Sequence, residues 1–505
     1  MTSLQEVIQA PNGLSYVQPT GLFINNEWVP SSTGQSQKLQ SINPATEENI
    51  VSVHIATPED VDRAVCAARA AFEGEEWQSM VGTARARLMN KLADLVESQQ
   101  HVLATIEALD NGKPYSQALG DIEEVFSVLR YYAGWADKAY GQTIDTSRAK
   151  FTYTVREPLG VCGQIIPWNY PLGMASWKLG PALACGNTVV IKAAEQTPLS
   201  ILYFANLVVE AGFPPGVVNI INGYGRDAGA ALVQHPDVNK VAFTGSTTTG
   251  KQIMRMASDT MKNITLETGG KSPLVIFDDA LLPNAIKWAH YGIMGNMGQI
   301  CTATSRIFVH EKIYDTFLKQ FIDYIAKIQV IGCPFEGTTY QGPQVSKQQF
   351  EKILDYAKVA KQEGATICTG GNIAPNRPNN KGYYVEPTVV CDVTPQMRVY
   401  KEEIFGPFAV VVKFSTEAEA IKLANDTEYG LAAAVCTADI ARAHRVANKI
   451  KAGMVWINSN NNSDFRVPFG GVKQSGIGRE LGSAGLDAYS QLKAVHLNLQ
   501  LTDEI

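Results

Sequence analysis

VCGQII (161–166), PLGMASWKLGPALAC (171–185) and TVVIK (188–192) follow one another almost without a gap, and their order decides the fold. The first and third are apolar runs of strand length. The second opens on a proline and keeps an apolar face at helical spacing. Two strands joined by a helix run parallel, because a parallel pair needs a crossover. The alternation continues toward the C-terminus: helix over 200–211, strand 217–221, helix 226–235, strand 240–243, helix 247–257, strand 264–267. Such a series predicts an open, doubly wound α/β sheet. A second alternating region begins near Pro273-Leu274-Val275-Ile276-Phe277 and runs to about 475, which predicts a second α/β unit.

Toward the N-terminus the pattern changes. Helices are expected over 121–140 and 84–98. Another starts at Thr57-Pro58-Glu59-Asp60, with a capping Thr, a Pro at the first helical position and acids in the first turn. Residues 1–56 read as irregular or short-stranded. Two segments alternate with period two: Phe151, Tyr153 and Val155, and Val495, Leu497, Leu499 and Leu501. Half-apolar strands of this kind need partners, and pairing across subunits of a homo-oligomer, a dimer or tetramer, is expected for both.

The 505 residues imply two or three domains, and 45% hydrophobic with 18% charged residues is the balance of a compact globular chain. A net charge of −6 offers no basic face, which argues against nucleic acid and anionic membranes as partners. The eight cysteines include no CxxC pair and none at metal-ligand spacing to a His, so neither a disulfide scaffold nor a metal site is expected. No apolar run reaches membrane-span length. The first 37 residues lack Lys and Arg, against a signal or transit peptide, and the expected location is cytoplasmic.

In a parallel open sheet, ligands bind beyond the C-terminal strand ends. Those ends read Pro167-Trp168-Asn169-Tyr170, Lys192-Ala193-Ala194-Glu195, Gly245-Ser246-Thr247-Thr248-Thr249-Gly250 and Glu267-Thr268-Gly269-Gly270-Lys271. The Gly245–Gly250 turn opens a helix whose N–H groups suit a phosphate, although it is neither GxGxxG nor a P-loop. Cys301 lies in Gly298-Gln299-Ile300-Cys301-Thr302, among glycine and hydroxyl neighbours foreign to a core strand. A lone Cys is ordinarily a small buried hydrophobe, a Glu ending a strand ordinarily meets solvent, and an Asn such as Asn169 can be a turn former. Spacing alone does not join Cys301, Glu267 and Asn169.

Residues 18–500 nonetheless resemble the aldehyde dehydrogenase superfamily, closest to its general cytosolic or mitochondrial type. The segments that carry the likeness are IIPWNYPL (165–172), VVIKAAEQTPLS (189–200), FTGSTTTGK (243–251), LETGGKSP (266–273), GQICT (298–302), EEIFGP (402–407) and PFGGVKQSGIGRELG (468–482). Glu267-Thr268-Gly269-Gly270-Lys271 departs from the family's Glu-Leu-Gly-Gly-Lys at one position that carries no function.

The resemblance implies a cofactor-binding unit (1–140 and 159–268), a catalytic unit (269–486) and an oligomerising β-arm (141–158 and 487–505). It implies Cys301 as nucleophile, Glu267 as general base, Asn169 as oxyanion donor with the Cys301 backbone N–H, and Lys178 and Glu480 as a proton relay. For NAD, or NADP, it implies Ile165, Pro167, Trp168, Lys192, Glu195, Gly245, Ser246, Glu403 and Phe405. Tyr170, Met174 and Trp177, at spacing i, i+4, i+7, could equally be core; the resemblance places them on the substrate tunnel. An Asn-rich loop at 458–466 with Asp464 and Arg466 points toward a polar or charged substrate, such as betaine aldehyde or a semialdehyde. Glu195 at the end of the second strand favours NAD, because an acid there accepts from a ribose 2′-OH and repels a 2′-phosphate. Two other readings of such a chain are a CoA-acylating dehydrogenase, which has no need of a hydrolytic base, and a non-catalytic structural protein.

Overall fold

A computed structural model describes residues 4–33 and 38–500. Its first large sheet runs in the order Gly476–Ile477, Asn263–Glu267, Lys240–Thr244, Val161–Ile165, Thr188–Lys192, Val218–Ile221, Leu22–Ile24, Glu27–Val29. The central strands, from 263–267 to 218–221, are parallel. Helices Pro171–Ala184 and Leu199–Ala211 carry the chain to one side of strand 161–165, and the chain then returns to build 240–244 on the other. The strand order therefore reverses beside 161–165, which opens a crevice at that point. Strands 161–165, 188–192 and 240–244 are buried along their whole length, as expected where helices cover both faces.

The second large sheet has the order Thr366–Thr369, Thr388–Cys391, Phe408–Phe414, Arg306–His310, Pro273–Ile276, Ala432–Cys436, Met454–Ile457. All neighbours are parallel except the first pair. The α/β class read from the sequence is the one observed. The strand Gly476–Ile477 comes from the end of the second region but joins the first sheet, antiparallel to Asn263–Glu267.

Local chemistry accounts for most boundaries. Thr57 caps helix Pro58–Glu73 in a capping box with Asp60. The helix expected over 121–140 is instead Tyr115–Ala133: Pro114 sets its entry, and the chain leaves at Gly134 for the arm. The helix expected over 226–235 divides into a wide turn, Gly225–Gly229, and a short helix, Ala230–Gln234. Among the described residues no helix is long and apolar enough to cross a membrane.

The period-two segments require a correction. They do not each lack a partner. Lys150–Pro158 and Ser490–Asn498 pair with each other, antiparallel, within one chain, with Val495 opposite Tyr153 and Leu497 opposite Phe151. Thr143–Ser147 adds a third strand. Cross-strand contact satisfies the ladder locally, and the outer edges with exposed Ile144, Phe151, Leu492, Leu497 and Leu499 stay without cover. Leu501 lies outside the described residues.

Candidate active site

The crevice at the strand reversal widens into a cleft of about 840 Å³ between the two large sheets. Its walls bring together Pro167, Trp168, Asn169, Tyr170, Met174, Trp177, Gly245, Ser246, Glu267, Cys301, Glu403, Phe405 and Glu480. Lys178 lies just behind the wall. Its Nζ donates to Glu480 Oε1 at 2.6 Å and to Thr244 Oγ1 at 2.5 Å. Ile165, Lys192 and Glu195 do not line this space; Ile165 and Lys192 end neighbouring strands of the sheet beneath it. Met174 and Trp177 are both buried, and both line the cleft. Trp177 packs on Phe469 at 4.8 Å and donates its Nε1–H to Glu124 Oε1 at 2.9 Å.

Glu267 is the last residue of its strand and is only 2% exposed. No side chain donates to its carboxylate, and only the Gly471 backbone N–H lies near enough to favour the charged form. Burial, and then the nearby Glu480, push its carboxyl well above the usual range, with Lys178 and Arg479 opposing. A buried acid held neutral in this way can take or give a proton near neutral pH. The two residues after Thr268 must be glycine. A Cβ on Gly270 would lie 2.5 Å from the Cys301 carbonyl, and one on Gly269 would strike the Glu403 carboxylate. The Glu403 Oε1 accepts instead from the Gly270 N–H at 2.9 Å.

Cys301 ends a loop with unusual backbone. Asn296, Met297 and Gly298 have φ of +44°, +57° and +72°. Left-handed backbone at three successive residues is costly for all but Gly, and Asn bears it best. Polar contacts hold the loop. Gln299 Oε1 accepts from the Val345 N–H at 3.1 Å, and the Gln299 carbonyl accepts from Asn169 Nδ2 at 3.0 Å and Asn296 Nδ2 at 3.2 Å. One N–H of Asn169 therefore points at this loop, and its amide keeps a second. Burial, then Glu403 and Glu267, push the Cys301 thiol up to about 12. Two acids face it, and both disfavour a thiolate.

At the cofactor side, Ser246 caps helix Thr247–Ala257 by accepting from the Thr249 N–H. Trp168 and Phe405 meet edge to face at 5.2 Å, with Phe405 at φ +64°. Glu195 Oε1 lies 3.2 Å from Lys192 Nζ and accepts the Gly225 N–H at 2.6 Å. Glu195 is thus turned toward Lys192 and not simply to solvent.

Sequence reasoning missed three side chains that hold the 168–172 turn. Asn111 Nδ2 donates to the Trp168 carbonyl at 2.7 Å, Lys113 Nζ to the Asn169 carbonyl at 3.0 Å, and Glu107 Oε1 accepts the Leu172 N–H at 3.0 Å. Asp110-Asn111-Gly112-Lys113-Pro114 reads only as a helix end, and nothing in it tells that its Lys is buried.

Comparison with known proteins agrees with this geometry. Residues 28–495 match the model of the aldehyde dehydrogenase family. The chain is 55% identical to an aldehyde dehydrogenase of Emericella nidulans, over 99% of both. It is 51% identical to aldehyde dehydrogenase 1A1 of Rattus norvegicus, over 98% of both. Its fold superposes on the NAD+ complex of an aldehyde dehydrogenase from Bacillus cereus with TM-score 0.93 and 52% identity, over 95% of this chain and 97% of that one. It superposes on a betaine aldehyde dehydrogenase of Staphylococcus aureus with TM-score 0.94 and 42% identity, over 97% of both. A cleft at a strand reversal that holds a thiol, a buried acid and a side-chain amide, on a chain alike to these over nearly its whole length, places the protein in the aldehyde dehydrogenase family, as an enzyme that oxidises aldehydes.

Proposed function

We propose that oxidation runs through a thioester on Cys301. The observation that carries this reading is that one cleft gathers Cys301, Glu267 and Asn169 beside the strand reversal. Once the Cys301 thiol has given its proton to water, the sulfur adds to the aldehyde carbon and forms a thiohemiacetal, whose carbon would lose a hydride to bound NAD to leave the thioester. The free N–H of Asn169 and the Cys301 backbone N–H stabilise its oxyanion. Glu267, once deprotonated, takes a proton from the water that hydrolyses the thioester, and passes it toward Glu480 and Lys178.

The residues also fit NAD. Ser246 and the helix it caps suit a pyrophosphate, the Lys192–Glu195 pair a ribose, and Glu403 with Phe405 the nicotinamide end. Bound there, NAD supplies the hydride acceptor and a positive ring charge. NAD is read as preferred over NADP because Glu195 would face a 2′-phosphate. The experiment is NADH production from propanal or benzaldehyde, with and without CoA. Free acid without CoA is the expected product. A strict CoA requirement would favour the acylating alternative, and no NADH at all the structural one.

One observation favours a narrower substrate. Asp121, Glu123 and Glu124 line the tunnel, and Lys113 pairs with only the first. Asp121 is paired and burial pushes Glu124 up to about 7, so it is the exposed Glu123 that favours a cation such as betaine aldehyde over an anionic semialdehyde. kcat/KM should be at least about tenfold higher for the cation, the preference that roughly 1.4 kcal/mol confers. Equal values would restore the general-purpose reading.

Residues 1–140 with 159–268 are read as the cofactor unit, 269–486 as the catalytic unit, and 141–158 with 487–505 as an oligomerising arm. The exposed apolar residues of the arm's outer edges favour a dimer or tetramer. A chain cut after Lys493 that kept its oligomeric state would count against that role.

A further inference from the structure

We infer that Lys113 is a positioning residue for the oxyanion: it acts through Asn169, holding that residue's backbone so that its amide stays aimed at the reacting oxygen. The inference rests on the assignment of Asn169 as oxyanion donor.

The side chain of Lys113 is fully buried. Its ammonium has three donors, and four features of the fold surround it. Nζ donates to the Asn169 carbonyl at 3.0 Å, forms a close ion pair with Asp121, and lies 4.2 Å from the centre of the Tyr170 ring. Glu107 stands at 3.9 Å on the far side. A buried ammonium without partners would release its proton, so the two acids explain how a charge can be kept here. They do not explain why it touches Asn169. An apolar side chain in place of Lys113, with a neutral one at 121, would fill the space as well.

The carbonyl that Lys113 grips has a second holder. Asn296 Nδ2 donates to it at 3.2 Å and also to the Gln299 carbonyl at 3.2 Å, two residues before Cys301. Asn169 Nδ2 reaches the same Gln299 carbonyl. Asn169 is therefore clamped at its main chain from two sides, and its side chain is steered onto the nucleophile loop. With both holders in place, the second amide N–H has one direction left. Without Lys113 the peptide plane between Asn169 and Tyr170 can tilt, and the amide tilts with it. A misplacement of about 1 Å in a catalytic group costs on the order of a hundredfold in rate.

The test is a double-mutant cycle on the purified full-length enzyme. In Lys113→Met, kcat should fall about tenfold to a hundredfold while the Kd for NAD stays within about twofold, and the NADH burst should slow to match. In the Asn169→Ala background the same change should cost almost nothing more, because the group it positions is gone. Lys113→Met/Asp121→Asn removes the nearer of the two acids that the single change leaves unpaired. It should recover the melting temperature of the wild type but not its kcat, and it carries the test if the single variant does not fold. Recovery of kcat in that double variant would overturn the inference and leave Lys113 a charge-balancing residue. So would a cost in the Asn169→Ala background equal to the cost in the wild type. Wild-type kcat in Asn169→Ala alone would instead overturn the oxyanion assignment beneath it, and the inference with it.

Discussion

The two residues of the cleft proposed to act as nucleophile and base are delivered in opposite ways. Glu267 stands at the end of a regular parallel strand, and its main chain is paired on both sides, yet no side chain donates to its carboxylate. Cys301 follows three left-handed residues in a loop, and that loop is stapled by Asn169, Asn296 and Gln299. Regular structure thus carries the group whose chemistry depends on its surroundings. Irregular structure carries the group whose chemistry depends on its exact reach. Burial pushes both groups up, and Glu267 further disfavours the Cys301 thiolate.

The comparison breaks most completely at the loop. Cys301→Ala should leave no aldehyde-dependent NADH formation while the circular dichroism spectrum and melting temperature stay those of the wild type. Equal loss from replacing any of the other seven cysteines, without unfolding, would move the nucleophile elsewhere.

On the strand side, Glu267→Gln should keep a burst of about one NADH per site and then turn over about 10²–10⁴ times more slowly, the usual contribution of a general base. Loss of the burst would place Glu267 before thioester formation. The same variant has a stability signature. The unfolded chain releases the Glu267 proton in the ordinary carboxylate range, while the folded chain holds it to higher pH. Wild-type stability therefore falls as pH rises through that interval, and Gln removes the dependence. The gain in melting temperature from Glu267→Gln should be larger at pH 8 than at pH 5. A gain independent of pH would mean that Glu267 is ionised in the fold.

The Lys192–Glu195 pair sharpens the contrast, since these two charges face one another at 3.2 Å instead of suppressing one another. Glu195→Gln should raise kcat/KM for NADP relative to NAD by about tenfold to a hundredfold, the loss of roughly 1–3 kcal/mol of like-charge repulsion. Equal use of both cofactors by the wild type would remove the premise. The mildest test is alkylation of Cys301 in the free enzyme. Its rate should climb about tenfold per pH unit to pH 10 without levelling, because the thiol is pushed up to about 12. A plateau near neutral pH would show a thiolate already formed.

The sequence made the strand side readable and the loop side not. Apolar runs buried on both faces fix the strands of the first sheet, and ligand placement at strand ends then follows from topology. The reversal beside Val161–Ile165 was not readable, because strand order is set by which helices pack on which face. The bond of Asn169 to Gln299 spans 130 positions, and that of Lys178 to Glu480 spans 302. No local pattern encodes either, and only the family likeness brought those residues together. Lys113 lay beyond both routes, since a lysine after a helix-ending glycine ordinarily points to water. The arm was half readable: period two gave its strands, but not that each is the other's partner.

Gly476–Ile477 leaves the second region to lie against Leu266 and Glu267, and the Ser475 carbonyl and hydroxyl bond Thr268 and Gly269 just beyond. That short seam fixes how the enzyme can breathe. A jaw-like opening of the cleft would have to unzip the ladder at the residue that carries the base. Cofactor and product must therefore come and go by swings of side chains and rim loops around a rigid spine. Amide protons at 266–268 should then be among the slowest in the molecule to exchange with heavy water, with or without ligand.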